Sequence, residues 1–211
     1  MSKLWIKICG ITLNSDAIAA ADYGADAIGL VFYPQSPRAV KKESIAEITT
    51  GLPSWVDVVA LFVDPSEEEV RQVLATNTIN LLQFHGQESE TFCKSFDVPY
   101  IKAIRVKNYG TISNIINAYA YASAEMLLLD SHSKKAPGGT GSKFDWKIGE
   151  SVTARSTNKI VVAGGLNPNN VQKAIQKIKP YGVDVSSGVE QSHGVKKLSK
   201  MKAFIEGARS V

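Results

Sequence analysis

The strongest constraint on the fold is a regular alternation along all 211 residues. Short apolar segments alternate with segments of helical periodicity, and eight such pairs follow one another. This pattern is typical of βαβ units and a parallel sheet. We therefore predict a single-domain (β/α)8 TIM barrel over residues 1–211, with a closed parallel eight-stranded sheet. An open doubly wound sheet also alternates strands with helices and is the competing architecture.

The alternation gives explicit boundaries for each predicted element. The predicted strands are Leu4–Cys9, Ala27–Phe32, Val56–Val63, Ile79–Phe84, Tyr100–Val106, Met126–Asp130, Lys159–Ala163 and Gly182–Ser186. The predicted helices are Ser15–Tyr23, Lys41–Thr50, Ser66–Ala75, Glu88–Phe96, Thr111–Ala122, Phe144–Val152, Asn169–Ile178 and Val195–Ala208. The connection 131–143 is glycine-rich and long for a loop between a strand and a helix, so we expect a mobile flap there.

Composition restricts the partners and the compartment. The 24 basic and 20 acidic residues give a net charge of +4 without a block of like charge, which favours a small anionic substrate over nucleic acid. Cys9 and Cys93 have neither metal-ligand nor disulfide spacing, which indicates a reducing compartment. The chain begins directly with a strand pattern, and no apolar run approaches the length of a membrane span. We therefore expect a cytoplasmic protein with no membrane partner.

Two glycine-containing turns near the C-terminus predict a phosphate site. Ala163-Gly-Gly-Leu-Asn-Pro168 and Asp184-Val-Ser-Ser-Gly-Val-Glu190 each follow an apolar strand, and each continues into a helix-like segment. Backbone N–H groups in such turns can point at an anion. A TIM barrel commonly binds phosphate in the loops after strands seven and eight. The alternative is that each glycine only permits a tight turn.

Two candidate reactive groups lie at predicted strand ends. Asp130 follows three leucines, and in an apolar surround a carboxyl group keeps its proton at neutral pH, as a general acid requires. It could instead be an aspartate that anchors a loop. Cys9 could act as a base or nucleophile only as a thiolate, which nearby cationic groups would promote. Alternatively, it is an inert small hydrophobic residue.

Three further polar residues are candidates for binding. The planar guanidinium of Arg38 suits a bidentate contact with a substrate carboxylate, although a solvated loop arginine is the default. His85 could orient a substrate or act as a weak base, or it could be structural. Asp184 shares a strand face with Ser186, so if that face is the interior its carboxylate must meet either a partner such as Lys7 or the substrate.

Seven motifs together, in order from the first strand to the eighth, resemble one family over nearly the whole chain. They are Lys7-Ile-Cys-Gly-Ile-Thr12, Phe32-x-x-x-Ser36-Pro-Arg38, Gln83-Phe-His-Gly86, Leu129-Asp130, Gly138-Gly-Thr-Gly141, Ala163-Gly-Gly-Leu166 and Asp184-Val-Ser-Ser-Gly-Val-Glu190. The chain resembles the phosphoribosylanthranilate isomerases, and the positions of the family's key cysteine, aspartate and arginine all hold the expected residue types. This combination is far more specific than any single glycine motif.

The resemblance implies a cofactor-free and metal-free Amadori rearrangement of N-(5'-phosphoribosyl)anthranilate in tryptophan biosynthesis. It implies that Asp130 is the general acid and Cys9 the base. It further implies that Arg38 binds the aromatic carboxylate of the substrate and that His85 and Asp184 line its pocket. The phosphate contacts that it implies are Gly141, Gly165, Ser187 and Gly188. The expected partner is thus a phosphoribosyl metabolite, and the chain is expected to be a monomer or a homodimer.

Two other functions remain open from the residues. Another phosphosugar barrel enzyme, such as an epimerase or a lyase, could present the same two turns. Such sites usually need a strand-end lysine or a metal set, and Lys7 and Lys102 are available within strands. A non-catalytic barrel that binds a phosphorylated metabolite is the second alternative. The joint presence of Cys9, Asp130 and Arg38 argues against it.

Overall fold

A computed structural model of the chain describes residues 3–106, 120–131 and 146–211. Eight parallel strands form a closed barrel in chain order, and β1 pairs with both β2 and β8. The strands are β1 Trp5–Cys9, β2 Ala27–Val31, β3 Asp57–Phe62, β4 Leu81–Phe84, β5 Tyr100–Val106, β6 Met126–Ser131, β7 Lys159–Val162 and β8 Gly182–Val185. The predicted closed sheet is therefore confirmed, and the open doubly wound alternative is wrong.

Helices follow most of the strands. They are α1 Asn14–Asp22, α2 Ile45–Thr49, α3 Glu67–Leu74, α4 Glu90–Lys94, α5 Trp146–Arg155, α6 Val171–Ile178 and α7 Leu198–Arg209. The predicted helix 111–122 and the predicted flap 131–143 fall almost entirely outside the described residues. None of the helices in the described ranges is long and apolar enough to cross a bilayer.

The segment after β8 differs from the prediction. A 3-10 turn, Ser187–Val189, leads into a short antiparallel hairpin of β9 Glu190–Ser192 and β10 Val195–Lys196, so the last helix begins at Leu198. The prediction that residue 195 starts a helix was wrong because Lys196 is drawn into the barrel mouth, where its ammonium donates to the main-chain oxygen of Cys9 at 2.6 Å. The hairpin thus covers one side of that mouth.

Alternate side chains of each strand face the barrel interior, as the period of a β-strand requires. The inner cluster at the amino ends of the strands is apolar, with Trp5, Ala27, Val59, Leu81, Ile101, Met126, Leu128 and Val161 among its members. Buried polar residues such as Lys7, Gln83, Asp130 and Asp184 follow further along the same strands. The polar end of the barrel is therefore the carboxyl end.

A buried ion pair connects β5 with the loops after β3 and β4 at that end of the barrel. Lys102 of β5 lies 2.8 Å from a carboxylate oxygen of Glu88 and donates to the main-chain oxygen of Gly86, also at 2.8 Å. Glu88 accepts from the main-chain N–H groups of Gly86 and Asp64, at 3.0 and 2.8 Å. Both side chains are only 2% exposed, so each charge depends on the other. The pair fixes the turn directly after His85.

We predict that Lys102→Met lowers the free energy of unfolding by on the order of 3 kcal/mol, because it leaves the Glu88 carboxylate without its cation in the interior. Lys159→Met is the matched control, since the Lys159–Glu125 pair is about half exposed and should contribute no more than about 1 kcal/mol. Urea unfolding followed by circular dichroism measures both. Equal losses in the two variants would contradict the importance given to the buried pair.

Candidate active site

The sequence-predicted site residues that the structure describes converge on one cleft at the carboxyl end of the barrel. The cleft is open: about 780 Å³ of space free of protein atoms lies in it, part of it continuous with solvent. The eight that line it are Cys9, Arg38, His85, Asp130, Gly165, Asp184, Ser187 and Gly188. The ninth, Gly141, lies outside the described residues.

Cys9 reaches this cleft as the last residue of β1, where it pairs with Gly29 of β2. A side chain at position 29 would place its Cβ 2.8 Å from the Cys9 sulfur, so glycine leaves the space that the thiol occupies. Burial raises the pKa of the Cys9 thiol, and the ammonium groups of Lys7 and Lys196 only partly oppose this effect. The surroundings of Cys9 on their own therefore favour the protonated thiol.

Asp184 lies beside Lys7, because β1 and β8 pair in a register that puts these two residues opposite each other. The Lys7 Nζ atom is 2.7 Å from Asp184 Oδ1, and the lysine side chain is fully buried. The expected partner of Asp184 is thus confirmed. The Lys7 ammonium also lies within hydrogen-bonding reach of the Cys9 side chain, and both neighbours raise the pKa of Lys7.

Asp130 faces the cleft from the end of β6. Its Oδ2 atom is 3.1 Å from Nε2 of His85. The expectation that three leucines surround this carboxyl was wrong, because strand geometry turns Leu127 and Leu129 outward against the helices and only Leu128 into the barrel. The imidazole of His85, and not an apolar shell, is the immediate neighbour of the carboxyl group.

A third residue completes a polar chain behind Asp130. The Gln83 amide nitrogen lies 3.3 Å from Nδ1 of His85. If that amide donates, a neutral His85 carries its proton on Nε2 and donates it to the Asp130 carboxylate. If Asp130 holds the proton, it donates to Nε2 of His85, and the imidazole carries its own proton on Nδ1. The Gln83 amide would then turn so that Oε1, which is buried without a partner in the described ranges, accepts from Nδ1. The amide can therefore accompany either protonation state of Asp130.

Arg38 is held at the cleft by an acid that the sequence analysis did not assign. Glu190 accepts from Nε and Nη2 of Arg38, both at 2.7 Å, and its Oε1 atom is 3.0 Å from the Lys196 ammonium. The Glu190 hydrogen bond raises the pKa of Arg38, which therefore keeps its charge although it is buried. Glu190 ends a motif identified in the sequence, but no local pattern connects it with a residue 152 positions away.

The two predicted phosphate turns touch each other. Gly164 and Gly165 have positive φ angles of 75° and 70°, a conformation that glycine adopts without strain. Any Cβ at Gly188 would collide with the main-chain oxygen of Leu166, so the turn after β8 packs directly on the turn after β7. Asn170 ties the earlier turn by donating to the oxygen of Gly165 at 2.9 Å. Both turns therefore present their backbones to one part of the cleft.

The closed barrel and the polar cleft at its carboxyl end are typical of one class of protein. These are the (β/α)8-barrel enzymes, in which polar side chains from several strand ends form one small-molecule site. Residues 6–207 match the family model described as N-(5'phosphoribosyl)anthranilate (PRA) isomerase. The chain belongs to this family.

Individual relatives agree with the family model. An N-(5'-phosphoribosyl)anthranilate isomerase of Pseudomonas aeruginosa strain UCBPP-PA14 is 47% identical over 210 residues, covering 100% of this chain and 97% of the relative. The crystal structure of the Thermotoga maritima phosphoribosyl anthranilate isomerase is 36% identical, with a TM-score of 0.89 over 99% of this chain and 100% of that one. A further phosphoribosyl anthranilate isomerase was solved in complex with reduced 1-(o-carboxyphenylamino)-1-deoxyribulose 5-phosphate. It is 35% identical, with a TM-score of 0.86 over 99% of this chain and 100% of that one.

The Arg38–Glu190 contact gives a prediction for pH. Burial alone would raise the pKa of the Glu190 carboxyl group, but Arg38 and Lys196 outweigh it and hold the pKa below the ordinary value of 4.5. Because the pKa is lowered on folding, the stabilisation is complete above the unfolded value and is lost as the pH falls through the folded value. Glu190→Gln should therefore cost on the order of 3 kcal/mol of unfolding free energy at pH 7, and progressively less below about pH 4.5.

Urea unfolding of the wild type and of Glu190→Gln between pH 7 and pH 3 measures this difference. Glu206→Gln is the control, because that glutamate is exposed on α7 and 3.9 Å from its nearest cation. A difference between the wild type and Glu190→Gln that stays constant with pH would contradict the assignment of the stabilisation to a charged Glu190.

Proposed function

We propose that this chain converts N-(5'-phosphoribosyl)anthranilate to 1-(2-carboxyphenylamino)-1-deoxyribulose 5-phosphate, with Asp130 as the general acid and Cys9 as the general base. The observation that carries the proposal is the presence of both groups in the one cleft that the glycine turns and Arg38 also line. The reaction needs an acid for one step and a base for the next, and this cleft offers one of each on separate strands. Membership of the isomerase family supports the same reaction.

Each of the two anionic groups of the substrate has candidate partners in the cleft. Gly165, Ser187 and Gly188 would bind the phosphate through the backbones of the adjoining turns, as clustered N–H groups do for anions. Arg38 would bind the anthranilate carboxylate. Glu190 uses two of the five N–H donors of the guanidinium, so three donors remain for a second carboxylate, counting only contacts in the described ranges. The analogue bound to the related solved structure carries a phosphate and an aromatic carboxylate as well.

In the first step Asp130 would transfer its proton to the furanose ring oxygen. The bond between that oxygen and C1 breaks, its electron pair stays on the oxygen as a hydroxyl group, and the lone pair of the anilino nitrogen forms the C1–nitrogen double bond of a Schiff base. His85, at 3.1 Å, can then stabilise the Asp130 carboxylate by donating its Nε2 proton. The acid and its neighbour thus supply a proton and accommodate the charge that its loss creates.

In the second step the Cys9 thiolate would remove the proton from C2 of the sugar. The electrons of the C2–hydrogen bond form a double bond between C1 and C2, and those of the Schiff base return to the nitrogen. The resulting enolamine tautomerises to the ketone, with C1 gaining a proton and the C2 hydroxyl losing one. Cys9 lies on β1 and Asp130 on β6, three strands apart around the ring, so the two can address different sides of one bound sugar.

The alternative of a lyase or epimerase receives less support from the structure. A site of that kind would use a strand-end lysine, and the two candidates are both engaged with carboxylates. Lys7 pairs with Asp184 and is fully buried, whereas Lys102 pairs with Glu88 outside the cleft. Cys9 and Asp130 would have no task in either case, so the isomerase remains the better interpretation.

The proposal extends to the pathway and the compartment in which the reaction takes place. We place the reaction in tryptophan biosynthesis in the cytoplasm, with a phosphoribosyl metabolite as the partner. Two buried free cysteines and a dispersed net charge of +4 support that setting. The active unit is a monomer or a homodimer, which sedimentation equilibrium distinguishes.

The test of the reaction is the loss of phosphoribosylanthranilate fluorescence. We expect the purified chain to abolish the signal of freshly generated substrate without any added cofactor. An epimerase, a lyase for another phosphosugar or a non-catalytic binding protein would leave the signal unchanged. A stable signal with folded protein would therefore overturn the proposed function.

We predict that Asp130→Asn lowers kcat by about 10²–10⁴-fold, the range typical of a lost general acid. Asparagine has the same shape and can still contact His85, so the reduced product analogue should bind almost as tightly as to the wild type. Stopped-flow fluorescence measures turnover, and calorimetric titration measures binding. Turnover close to that of the wild type would remove Asp130 from the acid role.

We predict a loss of similar size for Cys9→Ser, again in kcat more than in KM, because a serine hydroxyl is a far poorer base than a thiolate. Cys93→Ala is the matched control: this second cysteine is buried on α4, away from the cleft, with burial raising its pKa to about 12. Full activity after selective alkylation of Cys9 would contradict the role of that thiol.

A further inference from the structure

A base made from Cys9 faces a physical difficulty that the proposed mechanism leaves open. The thiol is buried, and burial raises its pKa, whereas the base must be a thiolate. Among the described residues, four charged side chains act on this thiol or are acted on by it: Lys7 on β1, Asp184 on β8, Lys196 on β10 and Arg38 in the loop after β2. The question is which of them can favour the charged form of Cys9.

Two of the three cations already have an anionic partner with good geometry. Glu190 forms two hydrogen bonds with Arg38, each 2.7 Å long, and a third of 3.0 Å with Lys196. Lys196 also directs its ammonium to the main-chain oxygen of Cys9, not to the sulfur. The charges of these two residues are therefore largely committed to Glu190 and to the backbone.

Lys7 is in a different situation. Its ammonium carries three N–H donors, and besides Asp184 Oδ1, at 2.7 Å, the Cys9 side chain lies within hydrogen-bonding reach of it. A donor buried in this way is costly unless it has an acceptor. Cys9 is the other charged partner that favours the ammonium form of Lys7. A thiolate at Cys9 would be a charged acceptor for this ammonium and a stronger one than the thiol.

Gly29 gives the local geometry that brings the two groups together. A Cβ at this position would lie 2.8 Å from the Cys9 sulfur and 3.3 Å from Lys7 Nζ. The sulfur and the ammonium thus share the space that any larger residue on β2 would fill. Lys7 itself is 0% exposed and is not among the described residues that line the cleft, so it acts from behind the sulfur and does not reach the substrate.

We propose that Lys7 is a positioning residue that stabilises Cys9 as a thiolate, with Asp184 holding the ammonium in place from β8. This proposal rests on the function proposed above, because it explains how the base is prepared. The ammonium offsets part of the cost of a buried thiolate. When the thiolate takes the proton from C2, Asp184 remains as the counter-ion of Lys7, so no unpaired charge is left in the barrel.

The proposal predicts effects of opposite sign for the two members of the ion pair. Removing the cation in Lys7→Met should raise the pKa of the Cys9 thiol by one unit or more, so alkylation by iodoacetamide at pH 7 slows by about tenfold or more. Removing the anion in Asp184→Asn leaves the ammonium with Cys9 as its only charged partner of opposite sign among the described residues, so alkylation at pH 7 should accelerate. General damage to the barrel would shift both variants in the same direction.

The experiment measures the pH dependence of Cys9 alkylation in a Cys93→Ala background, so that a single thiol reports. Lys102→Met is the matched control, because it also removes a buried lysine from a carboxylate pair but does not act on Cys9. Its alkylation profile should coincide with that of the parent. If Lys7→Met does not fold, Lys7→Met/Asp184→Asn compared with Asp184→Asn alone isolates the effect of the ammonium, since no unpaired buried charge remains.

Turnover gives a second, independent measurement. Lys7→Met should lose kcat by about tenfold or more at pH 7, with KM little changed, and should recover activity as the pH rises and the thiolate forms without help. An unchanged alkylation profile in Lys7→Met, or shifts of the same sign in Lys7→Met and Asp184→Asn, would overturn the role of Lys7. That result would leave the proposed function intact, because the wild-type fluorescence assay tests the reaction separately.

Discussion

The geometry of the cleft depends on the closure of the barrel between β1 and β8. Their register sets Lys7 against Asp184, which brings the first strand of the chain to the last one. A shift of one residue would turn Lys7 and Cys9 to the outer face and bring Ile8 inside, because side chains alternate along a strand. The buried ion pair therefore specifies the register, and the register in turn places the thiol beside the anion-binding turns.

The buried charges of this barrel lie towards the carboxyl ends of its strands. The amino ends of the strands are filled by apolar side chains such as Trp5, Leu81 and Met126. Above them lie cations whose partners come from distant parts of the chain, with Asp184 for Lys7 and Glu190 for Arg38. Pairing of this kind makes buried charge tolerable without adding much stability. The paired charges produce a fixed electrostatic field around the thiol of Cys9 and the carboxyl group of Asp130. Preorganised electrostatic fields of this kind are a major source of catalysis in enzyme active sites.

Much of the barrel could be predicted from sequence, since all eight strands carry their own local signal in apolar period and length. Candidate polar residues at strand ends could be found for the same reason, because a parallel barrel gathers those ends at one face. What could not be predicted is pairing over long distances: nothing near Glu190 indicates Arg38, and nothing near Val195 indicates a hairpin held by Lys196. The three leucines before Asp130 led to a wrong prediction of its surroundings for a related reason. Consecutive residues of a strand alternate between the inner and the outer face of the barrel, so neighbours in sequence need not be neighbours in space.

The acid and the base have opposite needs between turnovers, and their surroundings differ accordingly. Each cycle would leave Asp130 without a proton and Cys9 with one, so a new cycle can begin only when one proton is gained at β6 and another is lost at β1. His85 lies 3.1 Å from Asp130 and can either donate to its carboxylate or accept from its carboxyl group, so it accommodates both states. Lys7 can favour only the deprotonated sulfur, because an ammonium has no acceptor to offer a thiol. His85 can therefore stabilise Asp130 in both of its protonation states, whereas Lys7 stabilises Cys9 in only one. Because the cleft between the two groups is open, solvent can return a proton to Asp130 and remove one from Cys9.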